Sequence, residues 1–108
     1  MFKVSKMDTI KNIKEIEKIL KVLANKRRLA IIKYLKKNKE AKVGDIADEI
    51  NLSFKATSKH LSLLFNANIV GKEQRSLQMW YKISPTQNYI SKYISNQLSG
   101  VPAGPALE

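Results

Sequence analysis

The sequence predicts a mainly α-helical domain, about five helices closed by one small two-stranded β-hairpin, and three observations carry that expectation. Apolar residues recur at three- and four-residue spacing in successive stretches separated by short polar links, the signature of amphipathic helices. A single segment, "QMWYKI" (residues 78–83), has the aromatic and β-branched enrichment of a strand. The chain has 108 residues, 44% hydrophobic and 27% charged, which suits one soluble domain with a single modest core.

Taken in order, residues 1–7 are expected to be a flexible N-terminus, and residues 8–99 a single folded unit. Asp8 is placed as the cap of a first helix running to Ala24. Its apolar residues Ile13, Ile16, Ile19, Leu20 and Leu23 fall on one side, and Lys11, Lys14, Lys18 and Lys21 on the other. Asn25 caps a second helix extending to Lys37, with Leu29, Ile32 and Leu35 as its inner face and Ile31 beside them. "KNKEAKV" (residues 37–43) is a polar link ending in a very short strand. "VGDIADEI" (residues 43–50) forms a short third helix with Ile46, Ala47 and Ile50 turned inward. "NLS" makes a turn, and Ser53 caps a fourth helix that ends at Asn66. No glycine is available to close that helix, so Asn66 or Asn68 supplies the left-handed residue. Two strands follow, residues 69–73 and 78–83, joined around Arg75, Ser76 and Leu77. A last helix spans Thr86 to Leu98, striped by Tyr89, Ile90, Tyr93, Ile94 and Leu98. "GVPAGPALE" (residues 100–108) differs in composition, has no period and ends like a cloning-vector remnant, so it is expected to be a flexible tail outside the fold.

Composition narrows the function classes. No apolar run approaches the roughly 20 residues of a membrane span, and no signal-peptide core is present, so no membrane association and a cytoplasmic location are expected. Cysteine is absent, which leaves no disulfide, thiolate metal site or thiol switch. One histidine, no paired-carboxylate constellation and no phosphate-binding glycine loop give an enzyme nothing to work with, and no cofactor is expected. The net charge of +11 is uneven: residues 1–42 hold 14 Lys/Arg against 4 Asp/Glu, and the remainder 6 against 5. Such asymmetry favours a polyanionic partner.

The fourth helix is the most informative stretch. With Thr57 at the centre of its buried side, Leu61, Leu64 and Asn68 lie within about 40° of it on an ideal wheel. Lys55, Lys59, Ser62 and Asn66 lie near the opposite pole, flanked by Ala56, Ser58 and Leu63. Small residues allow close approach, hydroxyls donate or accept, and lysines neutralise phosphates or bond guanine. With a short helix and tight turn before it, this is helix-turn-helix geometry, whose second helix reaches base edges in the major groove of double-stranded DNA. A hairpin directly after it makes a winged helix-turn-helix. DNA-binding residues are therefore expected at Ser53, Phe54, Lys55, Ala56, Ser58, Lys59, His60 and Ser62.

The order of elements resembles the ArsR family of winged-helix repressors over about residues 17–84. "LANKRRLAIIKYL" (residues 23–35) is similar to the family's "LxxPxRLxILxxL", with Lys26 in place of the proline and Arg28 matching the arginine. "VGDIADEINLSFKATSKHLSLLFNANIV" (residues 43–70) is similar to "vxdLAeaLglsqstvSrHLkvLrxAGLV", matching at Ser58, His60, Leu61, Leu64 and Ala67. "WYKIS" (residues 80–84) is like "YYxLs". The chain departs from the family where metal is sensed. Lys42 and Gly44 stand at the Cys-x-Cys positions, and the last helix has neither Asp nor His, so no metal regulation through these sites is expected. Phe54 replaces a common base-reading Gln, and the wing tip has no glycine.

Several residues carry two readings. His60 either packs against the second helix in a hydrogen bond or meets a phosphate. Arg28 either pairs with an acid within the fold or lies near the DNA backbone, as the resemblance implies. Lys26 and Arg27 oppose the dipole of the second helix at its N-terminus, a local cost that a phosphate partner would offset. Arg75 is placed at the wing as a minor-groove or phosphate contact, and Trp80 and Tyr81 as hairpin packing. The first and last helices keep apolar stripes after the core is built, and the resemblance makes them a dimer interface. A homodimer joined through Ile13, Ile16, Leu20, Tyr89, Tyr93 and Ile94 is therefore expected, its symmetry placing two recognition helices about one DNA turn apart. Control by a small-molecule effector stays open, and a winged-helix module docking on protein is the alternative reading.

Overall fold

A computed structural model of the chain describes residues 10–102. The elements are α1 (Ile13–Leu23), α2 (Lys26–Asn38), β1 (Glu40–Lys42), α3 (Val43–Ile50), α4 (Phe54–Asn66), β2 (Val70–Arg75), β3 (Gln78–Ile83) and α5 (Tyr89–Leu98). The expected architecture of five helices and a two-stranded wing is present, and β1 adds a third strand, giving an antiparallel sheet in the order β1-β3-β2. The register Ala41↔Tyr81 and Lys72↔Tyr81 places β3 in the middle. Alternation then puts Glu40, Lys42, Glu73, Arg75 and Trp80 on one face of the sheet.

The core gathers around α2, whose Ile31 and Ile32 are fully buried, together with Leu35, Ile46, Ile50, Leu61, Leu64, Ile69, Val70 and Tyr81. Each such aliphatic side chain contributes about 1.5–3 kcal/mol through the surface it removes from water. Ile31 is as central as Ile32, whereas Leu29 is half-buried. The reason is that α2 is packed on more than one side, with α3, α4, α5 and β3 all touching it.

Two ends differ from expectation. The described part of α1 starts at Ile13, capped by Asn12, which accepts from Glu15 N–H at 2.9 Å, while the expected cap Asp8 lies outside the described residues. The last helix starts at Tyr89, three residues later than Thr86, because Asn88 is the cap and accepts from Ser91 N–H at 2.8 Å. Thr86 is engaged elsewhere: Asn68 Nδ2 donates to its carbonyl at 3.0 Å, and Ser84 Oγ lies 3.2 Å from its hydroxyl. The buried line of α5 is Ser91 and Ser95, not the tyrosines. These hydroxyls bond back to Asn88 O and Lys92 O, so small polar residues sit against the core without an unmet donor. Ile90, Ile94 and Leu98 are half-buried beside them, and Tyr89 and Tyr93 stand in solvent.

Candidate nucleic-acid interface

The helix-turn-helix is set by local chemistry at each end of a three-residue turn. Asn51 closes α3 in the left-handed region (φ 54°, ψ 53°), which Asn tolerates better than most residues, and Leu52 N–H bonds Ala47 O at 3.0 Å. Ser53 then opens α4, its hydroxyl accepting from Ala56 N–H at 3.1 Å. Asn68 is the left-handed residue that ends the segment (φ 56°). Its side chain donates to Thr86 and accepts from Ser84 Oγ at 2.8 Å, bolting the far end of α4 to the link before α5.

Between these anchors α4 presents the two faces read from its wheel. Thr57, Leu61 and Leu64 are buried, while Phe54, Lys55, Lys59, Ser62, Leu63 and Asn66 are exposed. Ala56, Ser58 and His60 lie on the flanks, half-buried. Neither Lys55 nor Lys59 enters an ion pair among the described residues. Their charge is therefore uncommitted.

The basic start of α2 approaches α4 from the side. Asn25 caps α2 by accepting from both Arg27 and Arg28 N–H. Arg28 settles on internal partners, none of them an acid. Its Nε and Nη2 donate to the carbonyls of Val22 and Lys21 in the last turn of α1, and its Nη1 lies 3.1 Å from His60 Nδ1. The structure therefore brings His60 and Arg28 together across two helices. Burial foremost, then the charges of Arg28, Arg27 and Lys59, hold the imidazole below its ordinary pKa. Arg27 Nη1 is buried without a hydrogen-bond partner among the described residues. Lys26 is exposed.

Arg75, expected as a minor-groove or phosphate contact, stands at the end of β2 with partners inside the chain. It makes a two-point contact with Glu40 of β1 (3.0 and 2.6 Å), bonds Glu73 at 2.9 Å, and its guanidinium carbon lies 4.9 Å from the Trp80 ring centre. The hydrogen bonds it donates to Glu40 and Glu73 push its pKa up, and Glu40 is held below the usual carboxylate value chiefly by the bond it accepts from Arg75. Trp80 also carries Lys42 at 5.6 Å, consistent with hairpin packing. At the two-residue tip, Leu77 is 95% exposed. Glu40 had no sequence signal as a site residue, because its partner is 35 positions away and meets it only through β3. Lys72, stacked 4.3 Å over Phe65, was likewise not singled out.

Among the described residues no cluster of His, Cys, Asp and Glu could hold a metal ion, and no helix is long and apolar enough to cross a membrane. The apolar stripe of α1 is split. Ile19 and Leu23 enter the core, whereas Ile13 and Leu20 are 84% and 50% exposed, with Ile16 half-buried between them. Tyr89 and Tyr93 of α5 are exposed as well.

Comparison with known proteins agrees with this arrangement. The family model for bacterial regulatory proteins of the arsR family matches residues 25–72, from the cap of α2 into the wing. The transcriptional activator HlyU of Vibrio cholerae serotype O1 is 34% identical over 83 residues, covering 70% of this chain and 76% of that protein. A solved structure of V. cholerae HlyU superposes with a TM-score of 0.70 at 30% identity, covering 83% of this chain and 94% of the other. The transcriptional repressor PagR of Bacillus anthracis gives 0.65 at 25% identity, covering 79% and 93%. A fragment of Mb0332 from Mycobacterium bovis, described as a homodimeric winged helix-turn-helix DNA-binding domain, gives 0.66 at 22%, covering 80% and 73%, a likeness of fold. With a winged helix-turn-helix, a relative above 30% identity over three quarters of its length and the family model on the same elements, the chain belongs to the ArsR family of bacterial regulatory proteins.

Proposed function

We propose that the chain is a sequence-specific, DNA-binding transcription regulator that works in the cytoplasm as a homodimer and represses by occluding a promoter. The observation that carries this reading is the cationic face of α4, with Lys55 and Lys59 exposed and in no ion pair among the described residues, above a fully buried Leu61 and Leu64. Ser53, Phe54, Lys55, Ala56, Ser58, Lys59 and Ser62 enter the major groove, and Lys26 and Arg27 meet phosphates at its edge. Arg75, tied to Glu40 and Glu73, sets the pose of the wing, and it reaches the flanking backbone or minor groove only by giving up those partners.

The exposed residues Ile13, Leu20, Tyr89 and Tyr93, with Ile16 and Ile94, support a symmetric pairing through α1 and α5. The Mb0332 fragment is described as homodimeric, PagR as a repressor and HlyU as an activator. Repression is the simpler reading for this chain, because occlusion requires only that α4 and the wing cover a promoter.

The test is a fluorescence-anisotropy titration against the promoter of the protein's own operon and a scrambled duplex. A preference for the promoter of about 10³ or more is expected. Equal binding to both would reduce the protein to a nonspecific binder or indicate a different operator. Binding to neither would favour a protein-docking module.

A further inference from the structure

Arg28 and His60 stand 32 positions apart and meet through one hydrogen bond that decides the chemistry of the imidazole. We propose that His60 contacts DNA as a neutral ring donating its Nε2–H to a backbone phosphate, and that Arg28 is the positioning residue that fixes this tautomer. The inference rests on the DNA-binding reading above and names the state and role of one of its residues.

A guanidinium carries only donors. At 3.1 Å from Arg28 Nη1, His60 Nδ1 must therefore present its lone pair, and the proton of the neutral ring sits on Nε2. Arg28 is not free to turn away, since its other nitrogens are held by the Val22 and Lys21 carbonyls of α1. The charged groups acting on the ring are Arg28 and Arg27 from α2 and Lys59 from its own helix, all cations, so nothing there rewards a second proton. Among the described residues Nε2 has no hydrogen-bond partner, and it is not one of the enclosed polar atoms left without one. His60 lies on the flank of α4, between the buried pole and the exposed lysine face, where the sugar-phosphate backbone borders a helix seated in the groove.

A neutral donor leaves a distinctive trace. It adds affinity without releasing a counterion, so its removal weakens binding and leaves the salt slope unchanged. Two substitutions separate the ring nitrogens. His60→Asn keeps an acceptor near Nδ1 for Arg28 and has no donor at Nε2, while His60→Gln offers a donor near Nε2 and leaves Arg28 unmatched.

The experiment combines anisotropy titrations on the operator duplex at several salt concentrations and pH values with a long-range ¹H–¹⁵N spectrum of the chain's single histidine. The Nε2–H tautomer is expected in both the free and the bound protein. His60→Asn should melt like the parent and bind about tenfold more weakly with an unchanged salt slope, and His60→Gln should retain more of the affinity while melting lower. An Nδ1–H tautomer would overturn the inference, as would His60→Asn binding like the parent. So would an imidazolium in the complex, seen as binding that tightens towards pH 6 and a slope that flattens by about 1.8 on substitution, about 0.9 for each protomer. The spectrum needs no variant, so it decides the tautomer even if a substitution unfolds the chain. A parent chain that binds no duplex would overturn the functional reading itself, a result distinct from parent binding with His60→Asn unimpaired.

Discussion

Replacing Lys55 and Lys59 together by Ala isolates the charge on α4. Both lysines are exposed, and neither is in an ion pair among the described residues, so the substitution breaks no internal contact. Alanine is also a good helix former, and stability should stay within about 0.5 kcal/mol of the parent. The effect on DNA follows from counterion release, where each phosphate contact adds about 0.9 to the slope of log K against log salt. At about 0.15 M salt one lost contact therefore weakens binding roughly fivefold. A homodimer loses four such contacts, so the slope should flatten by about 3.6 and affinity should fall about 10³-fold. A protein bound as a monomer would lose only two, flattening by about 1.8 and weakening about 30-fold. The parent slope, from the exposed basic groups of both protomers, should lie at roughly −5 to −7. Salt-dependent anisotropy on the operator and a scrambled duplex measures all of these. Equal weakening on both duplexes marks phosphate contacts, and a larger loss on the operator marks a base contact. An unchanged slope and affinity, in a variant that melts like the parent, would refute the assignment of α4.

Three further perturbations reach other parts of the structure. Leu64, with no exposed surface, joins α4 to the core, and Leu64→Ala should cost about 2–5 kcal/mol in urea unfolding; a loss below about 1 kcal/mol would contradict the packing. His60 is held below its ordinary value of 6.5, so the unfolded chain binds the proton more readily than the folded one. Its contribution is complete above pH 6.5 and is lost as pH falls through and below that value, well above the acid range in which Glu40 titrates. Melting temperature should accordingly drop below about pH 6.5 and His60→Asn should flatten the drop, whereas a melting temperature independent of pH in the parent would contradict the part-buried, cation-flanked setting of the ring. Tyr89→Lys with Tyr93→Lys charges an exposed face without disturbing the core, and should give a monomer by light scattering at micromolar concentration; a variant that stays dimeric would place the pairing surface elsewhere.

What was legible in the sequence is what neighbouring residues decide among themselves. Helix α4 starts after Ser53 and ends at Asn66, as its cap and its Asn-rich end predict, and Asn25 and Asn68 serve in the roles their chemistry suggests. Less legible were features decided by competition between local signals. Thr86 and Asn88 are both acceptable caps, and the choice fell to Asn88 only because Thr86 is drawn into the Asn68–Ser84 network. Ser91 and Ser95 look like surface residues to any hydropathy pattern. They are buried because α5 packs closely on α2, and because their hydroxyls are satisfied within their own helix. In the candidate site, the exposed face of α4 was written in its period, but the partners of Arg28 and Arg75 were not. Periodicity says nothing about residues that meet across 32 or 35 positions. Only the antiparallel register of β1, β2 and β3 sets Glu40 opposite the wing, where it meets Arg75.

The most direct test of the account is a dimethyl sulfate protection map of the bound operator, since the reagent methylates guanine N7 in the major groove and adenine N3 in the minor groove. The account predicts two patches of N7 protection with centres about 10 base pairs apart, each weakened by Lys59→Ala. Protection confined to adenine N3, or a single N7 patch, would contradict a pair of α4 helices seated in successive major grooves.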